Sequence, residues 1–392
     1  MSEWKEYKLG DVANLLTGFP FKGDQYEMEG NLKVVRGENV TLGTLRWDSE
    51  KHWNNSTNEL EKYFLKEDDI VIGMDGSRVG RNRAIIKADE LPLILAQRVT
   101  RLRAKKDFDQ KFVWYSVYNN KFQNYVEAIN TGTSIPHISP SQINDFELLA
   151  PPLSEQKLIS ETLSSLDDKI DLLHRQKKTL EALAETLFRQ WFVEEAEVQS
   201  EKKLLLGDLI ATISNTHKFS SDKIIFLNTS DIYQGDVLVH EAVDVKTLPG
   251  QAKKSIQRND ILFSEIRPAN GRYAYINFDA ENYVVSTKLM VLRSKNVLSQ
   301  AFIYFYLTNS QTVDYLQMLA ESRSGTFPQI TFDQLQDLKI NIPSNSILKD
   351  AIIWCETALE KIKSNSTQIK TLTQLRDLLL PKLMSGQVRV NN

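Results

Sequence analysis

The chain carries the same arrangement twice, and that duplication narrows what it can fold into. Pro151 and Pro343 each close a strand-like run, and each is followed by a long stretch with helical apolar spacing. The register holds deep into these stretches. Lys178-Thr179-Leu180 recurs as Lys370-Thr371-Leu372, with Thr371 standing 192 residues after Thr179. Leu187 and Leu379 keep that spacing, as do Trp191 and Leu383. Solenoid units run about 20–50 residues, so a period this long marks a duplicated module. Each copy predicts one globular domain and one long helix: domains over 1–150 and 196–342, helices over 151–195 and 343–386.

Within each domain, short β-rich runs alternate with polar turns. Leu32–Arg36, Ile70–Gly73, Arg83–Lys87 and Arg98–Arg103 correspond to Ile224–Leu227, Ile261–Phe263, Tyr273–Asn277 and Lys288–Arg293. Leu9-Gly10-Asp11 is echoed by Leu206-Gly207-Asp208. An aromatic-rich helix follows in both copies, about Phe112–Ala128 and Phe302–Leu319, then a Gly-Thr turn and a last strand, Phe146–Ala150 or Leu338–Ile342. Strands and helices mixed without regular βαβ alternation predict an α+β fold.

The long helices show heptad seams. The first runs Ile159, Leu163, Leu166, Ile170, Leu173, Lys177, Leu180, Ala184, Leu187, Trp191, with Ser154 as a plausible N-cap. The second runs Leu348, Ile352, Cys355, Leu359, Ile362, Ser366, Ile369, Leu372, Leu375, Leu379. Polar residues interrupt both near the middle: Lys177 in the first, Asn365 and Ser366 in the second. Pro381 should kink or weaken the last turns, and Gly386 supplies a stop. Each helix would run about 57 Å at 1.5 Å per residue. Such helices either form the core of their own domain or pair with each other; their length and their equal number favour an antiparallel pair. The acidic run Glu194-Glu195-Ala196-Glu197 with Glu201 reads as a solvated linker, with a partner-binding patch as the alternative.

Composition sets limits rather than a function. Lys and Arg total 48 against 51 Asp and Glu, a net charge of −3, so any nucleic-acid face must be local. The sole cysteine, Cys355, rules out an intramolecular disulfide and a multi-thiolate zinc cluster. With no signal-type apolar run at the start and no bilayer-length apolar stretch, the expectation is a cytoplasmic protein.

Motifs for chemistry are missing. There is no Gly-x-Gly-x-x-Gly and no Gly-x-x-x-x-Gly-Lys-Ser/Thr, so dinucleotide and P-loop sites lack support. Ala150-Pro151-Pro152-Leu153 lacks the polar acceptor and aromatic platform of an amino-methyltransferase loop, and reads as a strand-to-helix corner. Asp167-Asp168-Lys169 resembles nuclease carboxylates only superficially, since it lies inside a helical seam. His52, His137, His174, His217 and His240 are scattered without metal-ligand spacing, so no metal site is expected.

Three motifs in order resemble the specificity subunits of type I restriction–modification systems. Ala150-Pro151-Pro152-Leu153-Ser154-Glu155-Gln156 is similar to the opening of their central helix. Leu187-Phe188-Arg189-Gln190-Trp191-Phe192 is similar to the aromatic close of their central conserved region. Leu378-Leu379-Leu380-Pro381-Lys382-Leu383-Met384-Ser385-Gly386 is similar to their C-terminal close. The second copy departs at its helix opening, where Ile342-Pro343-Ser344-Asn345 lacks the paired proline and the Glu-Gln. The resemblance implies two α/β target-recognition domains separated by a pair of long antiparallel coiled-coil helices. It implies a non-catalytic reader of a split double-stranded DNA target, with the helices as spacer and as docking site for two methyltransferase subunits, joined by restriction subunits in the full complex. S-adenosylmethionine, ATP and Mg would sit on those partners, with no cofactor on this chain. The seam residues Ile159, Leu163, Leu166, Ile170, Leu173, Leu180, Leu187, Ile352, Leu359, Ile362, Ile369 and Leu379 would form the helix pair and partner-binding surface.

A split reader needs cations and amides for phosphates, and hydrogen-bonding side chains for base edges. The Gly-rich stretch 73–83 offers Ser77, Arg78, Arg81 and Arg83; its counterpart, 264–272, offers Arg267, Asn270 and Arg272. A hairpin with solvated arginines is the alternative. The Gly-Thr turns add Thr133 and Ser134 in the first domain and Thr326 in the second, and a purely structural turn fits them equally. A third loop pair contributes Arg36 and Asn39, matched by Asn228. Arg98, Arg101 and Arg103 would line one basic face of a strand, whereas Tyr115, Tyr118, Phe122 and Tyr125 follow helical spacing and read as core.

Overall fold

A computed structural model describes residues 4–130, 136–194, 202–295, 298–323, 326–342 and 345–390. The chain divides into two compact units. One combines Met1–Asp171 with Lys370–Asn392, and the other is Leu172–Ile369. Compactness therefore does not follow the linear order of domain and helix: each unit holds one α/β domain and a part of both long helices.

In the first unit a five-stranded sheet orders Ala13–Thr17, Val99–Ala104, Ile70–Gly73, Arg83–Ile85 and Leu42–Gly43. Ile70–Gly73 is buried along its whole length, as a central strand covered on both faces must be. Lys33–Val35 pairs parallel with Leu93–Leu95 in a smaller sheet. Lys5–Lys8 pairs antiparallel with Glu147–Ala150, bringing the two ends of the domain together.

The second unit repeats this frame. Ile210–Thr212, Leu289–Ser294, Ile261–Ser264 and Tyr273–Tyr275 lie in the same order, and Lys202–Leu205 pairs with Lys339–Ile342. The Leu-Gly-Asp echo has a packing reason. Leu9 and Leu206 are fully buried, and their amides donate to Phe146 O and Leu338 O, both at 2.8 Å. A Cβ on Gly207 would stand 2.8 Å from Gln336 Cβ, so that short helix needs glycine for close approach, whereas a Cβ on Gly10 would press on the Asn144 side chain, with Oδ1 at 2.8 Å, and turn it aside.

The aromatic-rich helix is two helices in each copy, which corrects the single helix expected. Gln110–Tyr118 is followed by Asn120–Ile129, and Gln300–Thr308 by Ser310–Arg323. Asn119 and Asn309 sit at the breaks in extended conformation. The Asn119 side chain accepts from Lys121 N at 3.2 Å and that of Asn309 from Thr312 N at 3.0 Å, so each asparagine ends one helix and caps the next. Tyr115 and Phe122 are buried in the core as expected.

The long helices span Leu153–Arg189, continued by a π turn over Gln190–Glu194, and Asn345–Met384. Ser154 lies inside the first turn rather than capping it. Pro381 is accommodated within the second helix, and Gly386, at φ 73°, follows its end. The helix segments run antiparallel in each unit. In the first, Asp167 meets Arg376 and Glu155 meets Arg389. In the second, the Trp191 and Trp354 rings lie 6.3 Å apart, and Gln176 meets Asn365.

Seam residues also enter the domain cores. Ile159 and Leu163 pack with Leu380, Leu383 and the buried residues of the first domain, and Leu379 lies against that cluster. Leu359 and Ile362 do the same in the second, with Leu180 and Ile352 at its border. Leu173 is buried, whereas Leu166, Ile170, Leu187 and Ile369 are half-buried. Of the acidic linker, 195–201 lies outside the described residues.

Candidate nucleic-acid interface

The three loop groups separated in sequence converge within each domain. In the first, the hairpin loop after Ile70–Gly73 is tied at four points. Gly73 N donates to Asn82 O (2.8 Å), Met74 N to Arg98 O (2.9 Å), Gly76 N to Pro136 O (3.1 Å), and Ile138 N to Met74 O (2.9 Å). The second domain repeats all four ties: Ser264 N to Arg272 O (2.9 Å), Glu265 N to Lys288 O (3.0 Å), Arg267 N to Pro328 O (3.1 Å), and Ile330 N to Glu265 O (2.8 Å). Each arginine-bearing loop is thus bonded to the far side of the Gly-Thr turn. These bonds also fix the correspondence of positions: Gly76 with Arg267, Arg98 with Lys288, His137 with Gln329.

The first domain opens here into a cleft of about 740 Å³ lined by Arg36, Arg46, Arg78, Asn82, Gln97 and Arg98, with Tyr26, Glu38 and Asp75. Ser77, Arg78 and Arg81 are exposed, and Arg81 approaches Glu127 at 3.4 Å. Arg36 is half-buried, pairs with Glu38 and lies 5.6 Å from the Tyr26 ring centre. Burial raises the Tyr26 phenol, and the Arg36 charge opposes that rise. Asp75 receives Arg98 Nε at 3.3 Å and His137 Nδ1 on its other oxygen. Arg98 keeps 73 % of its side chain exposed.

The second domain presents different groups on the same frame. Arg267, Asn270 and Thr326 are exposed. Arg272 lies 5.4 Å over the Tyr233 ring and donates to Ser230 O and Ile232 O, both at 3.1 Å, which ties this loop to the turn after Asn228. Asn228 is half-buried and accepts from Thr229 N at 2.9 Å. Lys288 reaches Glu265 at 3.7 Å and Gln329 at 3.5 Å.

Two expected contacts are corrected. Arg83 is 1 % exposed; its guanidinium donates to Gly80 O and to Tyr118 O (2.8 Å) and lies over the Tyr118 and Phe122 rings. Burial pulls it down to about 10. It is a brace beneath the loop and cannot reach a duplex. Asn39 is also 1 % exposed: its Oδ1 accepts from Arg36 N and its Nδ2 donates to Arg46 O, both at 3.0 Å. It closes its own turn and has no free edge for adenine.

The basic strand face is corrected as well. Arg101 turns inward to Lys62 O (2.9 Å) and Arg103 to Asp69, which leaves Arg98, in the turn before the strand, as the outward cation. Thr133 and Ser134 lie outside the described residues. Sequence reasoning missed Arg46 and Gln97 in the first domain, and Lys288 and Gln329 in the second. The signal available for two of them was that Gln97-Arg98 and Thr287-Lys288 occupy matching turns before matching strands. Among the described residues, no group of His, Cys, Asp and Glu is placed to hold a metal ion. No helix among them is long and apolar enough to cross a membrane.

Comparison with known proteins places this architecture. The family described as the type I restriction modification DNA specificity domain matches residues 1–182 and 204–372. The HindI specificity subunit of Haemophilus influenzae is 42 % identical over 180 residues, covering 45 % of this chain and 39 % of that one. The EcoBI specificity subunit of Escherichia coli is 24 % identical over 433 residues, covering 98 % and 86 %. The crystal structure of a type I restriction-modification system S subunit from M. genitalium superposes with a TM-score of 0.67 at 18 % identity, covering 98 % and 96 %, and so shares the fold. With both domains matched, the chain belongs to the type I restriction–modification DNA specificity family, as a specificity subunit rather than a catalytic one.

Proposed function

We propose that each domain reads one half of a two-part duplex DNA target through the face where its loops converge, while the helix pair sets the unread gap and docks two methyltransferase subunits. One observation carries this reading: the loops 75–82 and 266–272 hang from four equivalent backbone hydrogen bonds yet carry different side chains. A constant frame with variable polar tips suits two different half-sites. Arg36, Ser77, Arg78, Arg81 and Arg98 would serve the first half-site, and Arg267, Asn270, Arg272 and Thr326 the second, with the Asn228 turn supporting that loop. Restriction subunits join in the full complex, and S-adenosylmethionine, ATP and Mg belong to the partners.

The test is to purify the chain with its modification subunit and select from a random duplex library. The expected outcome is enrichment of a two-part sequence with a fixed gap; enrichment of none overturns the reading. Inserting one heptad in register into both helices should lengthen the gap and leave both half-sites unchanged. A scaffold that never touches DNA is the competing reading, favoured only by the length of the helices. Under it, alanine at Arg78, Arg81 and Arg267 would leave DNA binding untouched.

A further inference from the structure

We propose that Arg267 determines specificity at one base pair of the second half-site, and that its side chain is kept there at a cost to the fold. The inference rests on the DNA-reading function above and adds a residue and a base to it.

Arg267 holds φ 43° and ψ 77°, a left-handed conformation. Its counterpart in the first domain is Gly76, at φ 98°. Both amides donate to a prolyl carbonyl at 3.1 Å, Gly76 to Pro136 and Arg267 to Pro328. The shared frame therefore demands a left-handed residue at this point. The first domain meets the demand with glycine, which has no Cβ to clash. The second keeps a long side chain whose Cβ resists that conformation. Pro268 follows directly, and a residue before proline is normally driven to extended backbone.

The side chain gives the fold little in return. Arg267 is exposed, and its Nη2 lies 3.5 Å from Thr326 O, at the outer limit of a hydrogen bond. A strained residue whose side chain returns so little to the fold points to function. The loop beneath it is pre-set: Pro268–Asn270 forms a short 3₁₀ turn, and Ala269 N donates to Gln317 Oε1 at 3.1 Å. A guanidinium on so fixed a base offers a rigid fork of donors, which matches the O6 and N7 acceptors of guanine in the major groove.

The test compares wild type, Arg267→Gly and Arg267→Lys, each assembled with the modification subunit, by mapping methylated sites and by thermal melting of the chain. Glycine should leave the melting temperature unchanged or raise it, since it relieves the strain. It should also cut the preference at one position of the second half-site by about tenfold or more, with the first half-site intact. Lysine keeps the charge without the fork and should relax the same position. An unchanged two-part motif with Arg267→Gly, a uniform loss of methylation at all sites as for a phosphate contact, or a clear fall in melting temperature would each overturn the inference while leaving the two-part reader standing. A wild-type complex that methylates no two-part sequence would remove the reader itself.

Discussion

Asp69 and Arg103 are joined by two parallel hydrogen bonds, Nε to Oδ1 at 2.5 Å and Nη2 to Oδ2 at 2.7 Å, and the second domain repeats the pair as Asp260 and Arg293 at 2.8 and 2.9 Å. The carboxylates are almost wholly buried, with 3 % and 1 % of their side chains exposed. Each also closes the turn before its strand, accepting from Lys66 N or Gln257 N. The pair locks the central strand to its neighbour at the end opposite the recognition loop, since Ile70 pairs with Leu102 and Gly73 with Val99, and Ile261 with Leu292 and Ser264 with Leu289. Removing the arginine alone would leave a buried carboxylate without its counter-charge, a loss that costs about 3–5 kcal/mol for a fully buried pair. The arginines keep about a third of their side chains exposed, so Arg103→Ala or Arg293→Ala should cost roughly 2–3 kcal/mol. Denaturant unfolding would measure it.

These pairs show where sequence reading stops. The long helices were legible because a four-three apolar rhythm is local and survives every neighbour. Strands such as Ile70–Gly73 were legible because a short apolar run between polar turns has few alternatives. The break at Asn119 was hidden because aromatic residues continue on both sides and asparagine can sit within a helix as well as cap one. The fate of Arg83 was hidden for a deeper reason. Its partners, Gly80 O and Tyr118 O, are backbone carbonyls, which any sequence would supply. Nothing in a run of arginines distinguishes the one that turns inward from those that stay in water. Convergence of the three loops is likewise non-local: Gly76 meets Pro136 across sixty residues of chain.

Cys355 gives the second unit an alkaline limit. Its thiol is 2 % exposed, and burial, helped by the Glu356 charge, pushes it from its ordinary value near 9 up to about 12. Above pH 9 the unfolded chain releases this proton while the folded chain still holds it. The folded state then binds more protons, and stability must fall as pH rises. By pH 10 the loss from this one group should be about 1 kcal/mol. Tyr273 and Tyr275, also pushed up to about 12, add their own losses only above their ordinary value near 10. Cys355→Ala should therefore be less stable at neutral pH, through a small cavity, yet show a flatter decline between pH 8.5 and about 10. Unfolding midpoints across that range would show it; parallel slopes would refute it.

Asn365 interrupts the second seam from a fully buried position. Its Nδ2 donates to Gln176 Oε1 at 3.3 Å, while its Oδ1 has no hydrogen-bond partner among the described residues. A buried acceptor left unsatisfied costs about 1–3 kcal/mol, so Asn365→Leu should raise stability by roughly 1 kcal/mol or more. A polar residue kept at such a cost within a helix pair commonly fixes register. The same substitution should then admit shifted pairings of the helix segments in this unit. Cysteines placed to cross-link only in a slipped register would form that bond in the leucine variant and not in the parent.

Asp75 sits between two groups that could otherwise meet a phosphate, Arg98 and His137. In a cleft lined by four arginines it is one of two carboxylates, with Glu38. Facing a phosphate it would be repelled, so its presence weakens binding to duplex of any sequence. Its 27 % exposed carboxylate also leaves Arg98 aimed along one direction rather than free to sweep the groove. Asp75→Asn removes the charge and keeps the shape. If the cleft holds DNA, the variant should bind non-specific duplex more tightly at low salt, because Arg98 is released to a phosphate. The plot of log affinity against log salt should steepen by about 0.9 for that added contact. Discrimination between the target and random duplex should shrink at the same time. Fluorescence anisotropy over a salt series on the complex with the modification subunit reads both quantities, and a salt slope identical to that of the parent would place Arg98 away from the DNA backbone.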